Sequence, residues 1–188
     1  MNINKLTSIV GVFAHPDDEF SIAGLLVRAI SKGVKVHLTC ATRGEAGRIR
    51  NPQIVNNQSE VRTKEIEKVC QVLGISSLHF LDLPDGNSEK WINYNPHDKI
   101  ISILEEIKPD IIVTFDGNGG NGHPDHKQIS RITKIAYETY ISQGNINLYN
   151  VTLFPYSYLK KRLWILPKKI KKKYLTNYLY LMKTSALL

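Results

Sequence analysis

The chain has 188 residues, of which 42% are hydrophobic, enough for one substantial core and too few for two comfortable ones. Its two cysteines, Cys40 and Cys70, have no CxxC spacing, which argues against a disulfide framework or a thiolate metal knot. The net charge of +8 is uneven: residues 151–188 carry nine of the 25 Lys and Arg and none of the 17 Asp and Glu, so the body is close to neutral.

A neutral body without a recognisable motif weighs against a nucleic-acid partner. No run reaches the roughly 18 apolar residues of a spanning helix, and no secretory leader is evident. The expectation is a soluble, cytoplasmic protein with a Rossmann-like domain over 1–155 and a basic, aromatic-rich extension of the same domain over 156–188. That extension interleaves Lys160-Lys161-Arg162 and Lys171-Lys172-Lys173 with Trp164, Tyr174 and Tyr178. It reads first as a solvated basic face. Weak contact with an anionic membrane surface and assembly into a homo-oligomer are both compatible with it.

In chain order, residues 8–14 form an apolar run of the buried-strand kind, and Ile22, Leu25, Leu26, Ala29 and Ile30 follow with helical spacing. Gly33 is a plausible helix stop, and 34–40 read as a second strand. The loop 42–52 is long enough to suggest a function. Asn57 with Glu60 resembles a capping box, opening a helix with Ile66, Val69, Cys70 and Leu73 inward and Gly74 at its end. Residues 77–83 read as a third strand, ended by Pro84-Asp85-Gly86.

Asn95-Pro96 then starts a helix that Pro109 stops. Residues 110–116 are a fourth buried strand, followed by the glycine-rich loop 117–122, a helix to about Gln143 and a fifth strand near 148–154. The G-x-G-G-x-G spacing of that loop is wrong for a dinucleotide fingerprint. Alternating strands and helices predict an α/β fold, a doubly wound and mostly parallel sheet with helices on both faces. In the usual order strands one and four are neighbours, and ligands bind at their carboxyl ends.

Two polar clusters stand at those ends: His15-Pro16-Asp17-Asp18-Glu19 after the first strand and His123-Pro124-Asp125-His126 after the fourth. Asp after a strand is by itself most often a helix cap. Two such clusters at adjoining strand ends are harder to explain by capping. His15, Asp18 and His126 supply a His2Asp set, and three protein ligands with one open position is the arrangement of catalytic zinc. Asp17 would be free to act as a base, and His123 to stabilise an oxyanion or protonate a leaving amine if Asp125 raises its proton affinity. His37, His79 and His97 lack such company and read as structural. Ligands for one metal are evident, which disfavours the two-metal chemistry of phosphoester hydrolysis.

AHPDDE after the first strand, TRGEAG after the second, Arg62-x-x-Glu65 with Leu73-Gly74, LDLPDG after the third and GHPDH after the fourth resemble the PIG-L/LmbE-like family of zinc-dependent N-acetylglucosaminyl deacetylases. The resemblance covers roughly residues 8–140. It implies a Rossmann-like fold, one zinc, and removal of an N-acetyl group from an N-acetylated amino-sugar substrate. It matches His15, Asp18 and His126 to the metal ligands, Asp17 to the general base, His123 to the oxyanion stabiliser, and Arg50 and Asp85 to substrate contacts. Members run on past a segment like Lys183-Thr184-Ser185-Ala186-Leu187-Leu188 into a region that helps wall the site. Here the expectation is an open cleft or one completed by a partner. The alternative reading is a non-catalytic sugar- or nucleotide-binding module that retains the fold.

Overall fold

A computed structural model describes residues 6–47, 57–144 and 149–153. The basic extension 156–188 and Arg50 lie outside the described residues. Five parallel strands, β1 (Ser8–Phe13), β2 (Lys35–Cys40), β3 (Ser77–Phe80), β4 (Ile111–Phe115) and β5 (Tyr149–Leu153), form one sheet in the order β3-β2-β1-β4-β5. Every residue of β1 and of β4 is buried, as expected of central strands covered on both faces. These two strands pair directly, Ile9 opposite Ile111 and Gly11 opposite Val113. The topological switch therefore falls between them.

The helices are α1 (Ala23–Ser31), α2 (Gln58–Leu73), α3 (Pro96–Ile107), a single turn α4 (Gly119–Gly122) and α5 (Pro124–Ser142). Right-handed crossovers in this strand order put α1 and α2 on one face and α3 and α5 on the other. Contacts agree: Gly74, at the end of α2, lies against Ile30 of α1, while the Tyr140 hydroxyl of α5 donates to the Leu104 carbonyl of α3 (3.2 Å). Leu26, Leu38, Ile100, Leu104, Ile112 and Ile129 are fully buried between the layers. Among the described residues no helix is long and apolar enough to cross a membrane.

Local differences from the sequence reading have physical causes. Two 3-10 segments, Asp18–Ile22 and Ser88–Tyr94, precede α1 and α3; such short runs leave no hydrophobic period to read. The capping box at Asn57 does not form, since the Asn57 side chain makes no cap bond. The Gln58 amide instead donates to the carbonyls of Gly44 and Gly47 (3.0 and 2.7 Å), tying the loop after β2 to the start of α2. β3 ends at Phe80 because Asp82 turns into the left-handed region (φ 53°), although Leu81 and Leu83 still donate to Cys40 and Ala41.

The turn after β3 hangs on Trp91, fully buried, whose indole N–H donates to the Pro84 carbonyl (2.8 Å). Trp91→Ala should lower unfolding free energy by about 3–5 kcal/mol, the usual cost of truncating a buried aromatic. Chemical denaturation measures it, and a loss under about 1 kcal/mol would show that the turn does not depend on this anchor.

Candidate metal centre

β1 delivers the chain to a tight turn. Ala14 is buried and its carbonyl accepts from the Thr42 N–H (2.9 Å), after which the Asp18 N–H donates back to the His15 carbonyl (3.3 Å). The turn requires Asp17 at φ 96°, a conformation that Asp tolerates better than most residues. Its N–H is received by the Glu19 carboxylate (2.9 Å), a buried group whose pKa burial pushes up. The Asp18 carboxylate in turn accepts from the His15 N–H (2.8 Å). His15 and Asp18 thereby face the same space.

β4 delivers the second cluster. After Phe115, Asp116 accepts from the N–H groups of Gly119 (2.8 Å, main chain) and Gly120 (2.7 Å, side chain), coiling the glycine run into α4. His123 caps α5, its Nδ1 accepting from the Asp125 N–H (3.2 Å). His126, in the first turn of α5, is buried and stacks on Phe115 with centroids 4.1 Å apart. Its Nδ1 donates to the Gly119 carbonyl (3.0 Å), leaving a lone pair on Nε2. Gly119 is needed here: at φ 69° a Cβ would stand 2.8 Å from the Lys127 nitrogen and 2.9 Å from the His126 Cβ.

The clusters meet. His126 Nε2 lies 3.2 Å from Asp18 Oδ1 and 3.3 Å from His15 Nδ1, and His15 Nδ1 lies 3.5 Å from Asp18 Oδ2. The far edge of His15 faces two more carboxylates, its Nε2 being 3.1 Å from Asp85 Oδ1 and 3.2 Å from Asp125 Oδ2. A neutral His15 therefore carries its proton on Nε2, and its Nδ1 lone pair joins the other two acceptors. Three acceptors with no donor among them call for a cation. Bonds of about 2.0–2.1 Å in a tetrahedral shell put neighbouring ligand atoms about 3.3–3.4 Å apart, so the donor set fits zinc or a similar ion. A second grouping, His15 with His123 and Asp125, also brings ligand atoms within 4.8 Å. There, however, Asp125 Oδ2 already accepts from the Gly86 N–H (2.9 Å).

Without a cation the site holds a proton instead. Burial alone would lower the His15 pKa, but hydrogen bonds to Asp125, Asp18 and Asp85 overcome it and hold the group at about 11. Asp18 is kept well below the usual carboxylate range: burial opposes this, and the neighbouring His126 and His15, with the His15 main-chain N–H, outweigh it. Burial likewise acts to raise Asp125, while His15, Ser88 and the Gly86 N–H draw it to about 2.

Asp17 stands beside this cluster, not in it. Its carboxylate is 70% exposed, and Oδ2 receives Arg62 Nη2 at 2.7 Å. The same guanidinium also donates to the Pro16 carbonyl (2.6 Å) and to Glu65 (2.9 Å). The sequence reading noted Arg62 only as part of a motif. His123 is exposed at the rim, its ring 5.0 Å from that of His15 and 4.8 Å from that of His126. The net effect on its proton affinity is nevertheless downward: the Asp125 carboxylate faces His15, and its pull on His123 is outweighed by burial and by the neighbouring His15 and His126, which lower the His123 pKa. Asp85 is buried, with Oδ1 on His15 and Oδ2 accepting from the Ala46 N–H (2.8 Å). His37 and His79 share the Ser77 hydroxyl (2.7 and 2.8 Å) on β2 and β3, away from this cluster.

Residues 10–137 match the model of the PIG-L family, described as GlcNAc-PI de-N-acetylase. Mycothiol S-conjugate amidase of Streptomyces coelicolor is 35% identical over 150 residues, 69% of this chain and 51% of that protein. A 1D-myo-inositol 2-acetamido-2-deoxy-alpha-D-glucopyranoside deacetylase of Thermobifida fusca is 32% identical over 150 residues, 67% of this chain and 52% of that one. The chain thus spans about half the length of these curated relatives. Among solved structures, N,N'-diacetylchitobiose deacetylase from Pyrococcus horikoshii superposes with a TM-score of 0.64 at 20% identity, over 80% of this chain and 60% of that one, which shows the shared fold.

Because the metal-free His15 stays protonated up to about pH 11, metal uptake must displace its proton. Zinc titration calorimetry at pH 7, run in buffers of different ionisation enthalpy, should report release of about one proton, with affinity rising about tenfold per pH unit. Binding without proton release would mean that His15 is neutral before the metal arrives or is not a ligand.

Proposed function

Because the chain belongs to the PIG-L family, we propose that it is a zinc-dependent hydrolase that removes the N-acetyl group from an N-acetylglucosamine-containing conjugate. The observation that carries this reading is the convergence of His15 Nδ1, Asp18 and His126 Nε2 at adjoining strand ends, with separations of 3.2–3.5 Å. The curated relatives, an amidase and a deacetylase of an acetamido-sugar, support the reaction class. Held by these three residues, a zinc ion would lower the pKa of a coordinated water and polarise the acetyl carbonyl.

The chain's own groups then have separable tasks. Arg62 engages Asp17 Oδ2, which leaves Oδ1 to take a proton from the attacking water. The same carboxyl passes that proton to the departing amine, so acetate and free amine leave and Asp17 is restored as a carboxylate. His123 accepts the Asp125 N–H at Nδ1, so in its neutral form the proton sits on Nε2. Its lowered pKa keeps it neutral at pH 7, a hydrogen-bond donor to the developing oxyanion. Arg50, between β2 and α2 in the sequence, is a proposed substrate contact. The Asp85 oxygens are engaged by His15 and Ala46.

A non-catalytic binding module would have no use for an acid–base pair beside three cation ligands. Acetate release from a panel of N-acetylglucosamine conjugates, with and without chelator, separates the two readings. Asp17→Asn should retain the metal and lose a factor on the order of 10²–10⁴ in kcat. Wild-type turnover in that variant would remove Asp17 from the mechanism.

A further inference from the structure

The geometry points to Asp85 and Asp125 as a paired carboxylate clamp on the back of His15: positioning residues that fix which imidazole nitrogen is free for a cation, and so set how tightly one is held. This rests on the reading of His15, Asp18 and His126 as cation ligands. The two edges of the His15 ring differ in kind. Nδ1 faces His126 Nε2 and Asp18, whereas Nε2 faces Asp85 Oδ1 at 3.1 Å and Asp125 Oδ2 at 3.2 Å. The tautomer with its proton on Nδ1 would set an Nε2 lone pair against two anions and close the cation site. With both carboxylates ionised, the proton is held on Nε2 and Nδ1 is open.

The clamp is built independently of His15. Asp85 is held by the Ala46 N–H on Oδ2 (2.8 Å), while its own N–H donates to Glu45 (2.9 Å), lacing the loop after β2 to the turn after β3. Asp125, at the start of α5, is held by the Gly86 N–H (2.9 Å) and Ser88. The two side chains are 6% and 1% exposed. Among the described residues neither is paired with Lys or Arg; the ionisable partner of both is His15. Two buried anions without a cation of their own are costly. The Ala46 and Gly86 N–H groups and Ser88 offset part of that cost, and among the described residues the charge that offsets the rest is the one His15 carries or coordinates. His126 has a neutral outer partner, the Gly119 carbonyl, so His15 is the imidazole that the protein makes the stronger electron donor.

The test is competition titration of the 188-residue chain with Zn2+ and Co2+ against a chromophoric chelator. Wild type is compared with Asp85→Asn, Asp125→Asn, the double variant, and Glu138→Gln, a surface control on α5. Each single Asn variant should bind metal roughly tenfold to hundredfold more weakly, the range for lost outer partners of a ligating histidine. The double variant should be weaker than either, with one ion still bound, an unchanged far-UV spectrum and the control at wild-type affinity. The Co2+ form should also lose the shifted exchangeable proton resonance of His15 Nε2–H, a signature that a packing role would not move. If Asp125→Asn fails to fold, Asp85→Asn carries the test. Wild-type affinity in the Asn variants overturns the clamp alone. Loss of a whole equivalent of metal also overturns it, in favour of a second cation between the carboxylates. A wild-type chain that binds no metal overturns both the clamp and the ligand reading beneath it.

Discussion

Three electron pairs aimed at one point, with nothing positive built in among them, are the constraint around which the molecule is arranged. Such a set is repulsive until a proton or a metal ion enters it, and the protein assembles it from residues more than a hundred positions apart. What makes it affordable is the sheet. Pairing of β1 with β4 is fixed by buried apolar contacts that do not involve the polar cluster, so core packing rather than the site's own interactions holds His15 and Asp18 opposite His126.

Each ligand is then oriented by a different device. His126 is pinned between an aromatic face and a main-chain carbonyl, which needs a glycine at residue 119. Asp18 is fixed by the N–H of His15 within a turn that places Asp17 at positive φ, a conformation costing about 1–3 kcal/mol elsewhere repaid. His15 is fixed by anions from two other segments. The loop after β2, the turn after β3 and the start of α5 thus act on the centre without being part of it.

The strands and helices were legible because buried parallel strands read as unbroken apolar runs, and because Gly33 and Gly74 stop α1 and α2 with positive φ. The convergence of the two clusters followed from strand order alone. The direction of individual carboxylates did not. Asp125 stands two residues from His123 and reads as its partner, yet the fold of α5 turns its side chain to His15; Asp85 is matched by resemblance to a substrate contact, and the structure buries it against His15. Likewise Asn57 carries a capping signature that lapses, because Gln58 is drawn to the loop carbonyls of Gly44 and Gly47. These outcomes depend on contacts between segments far apart in sequence, which no local pattern encodes.

The central claim is that one cation is held between the ends of β1 and β4. Anomalous X-ray diffraction from zinc-loaded crystals, collected on both sides of the zinc absorption edge, tests it most directly. The account predicts one strong peak bonded to His15 Nδ1, His126 Nε2 and an Asp18 oxygen. A peak bonded through His15 Nε2, or one that leaves His126 out of the coordination sphere, would contradict it.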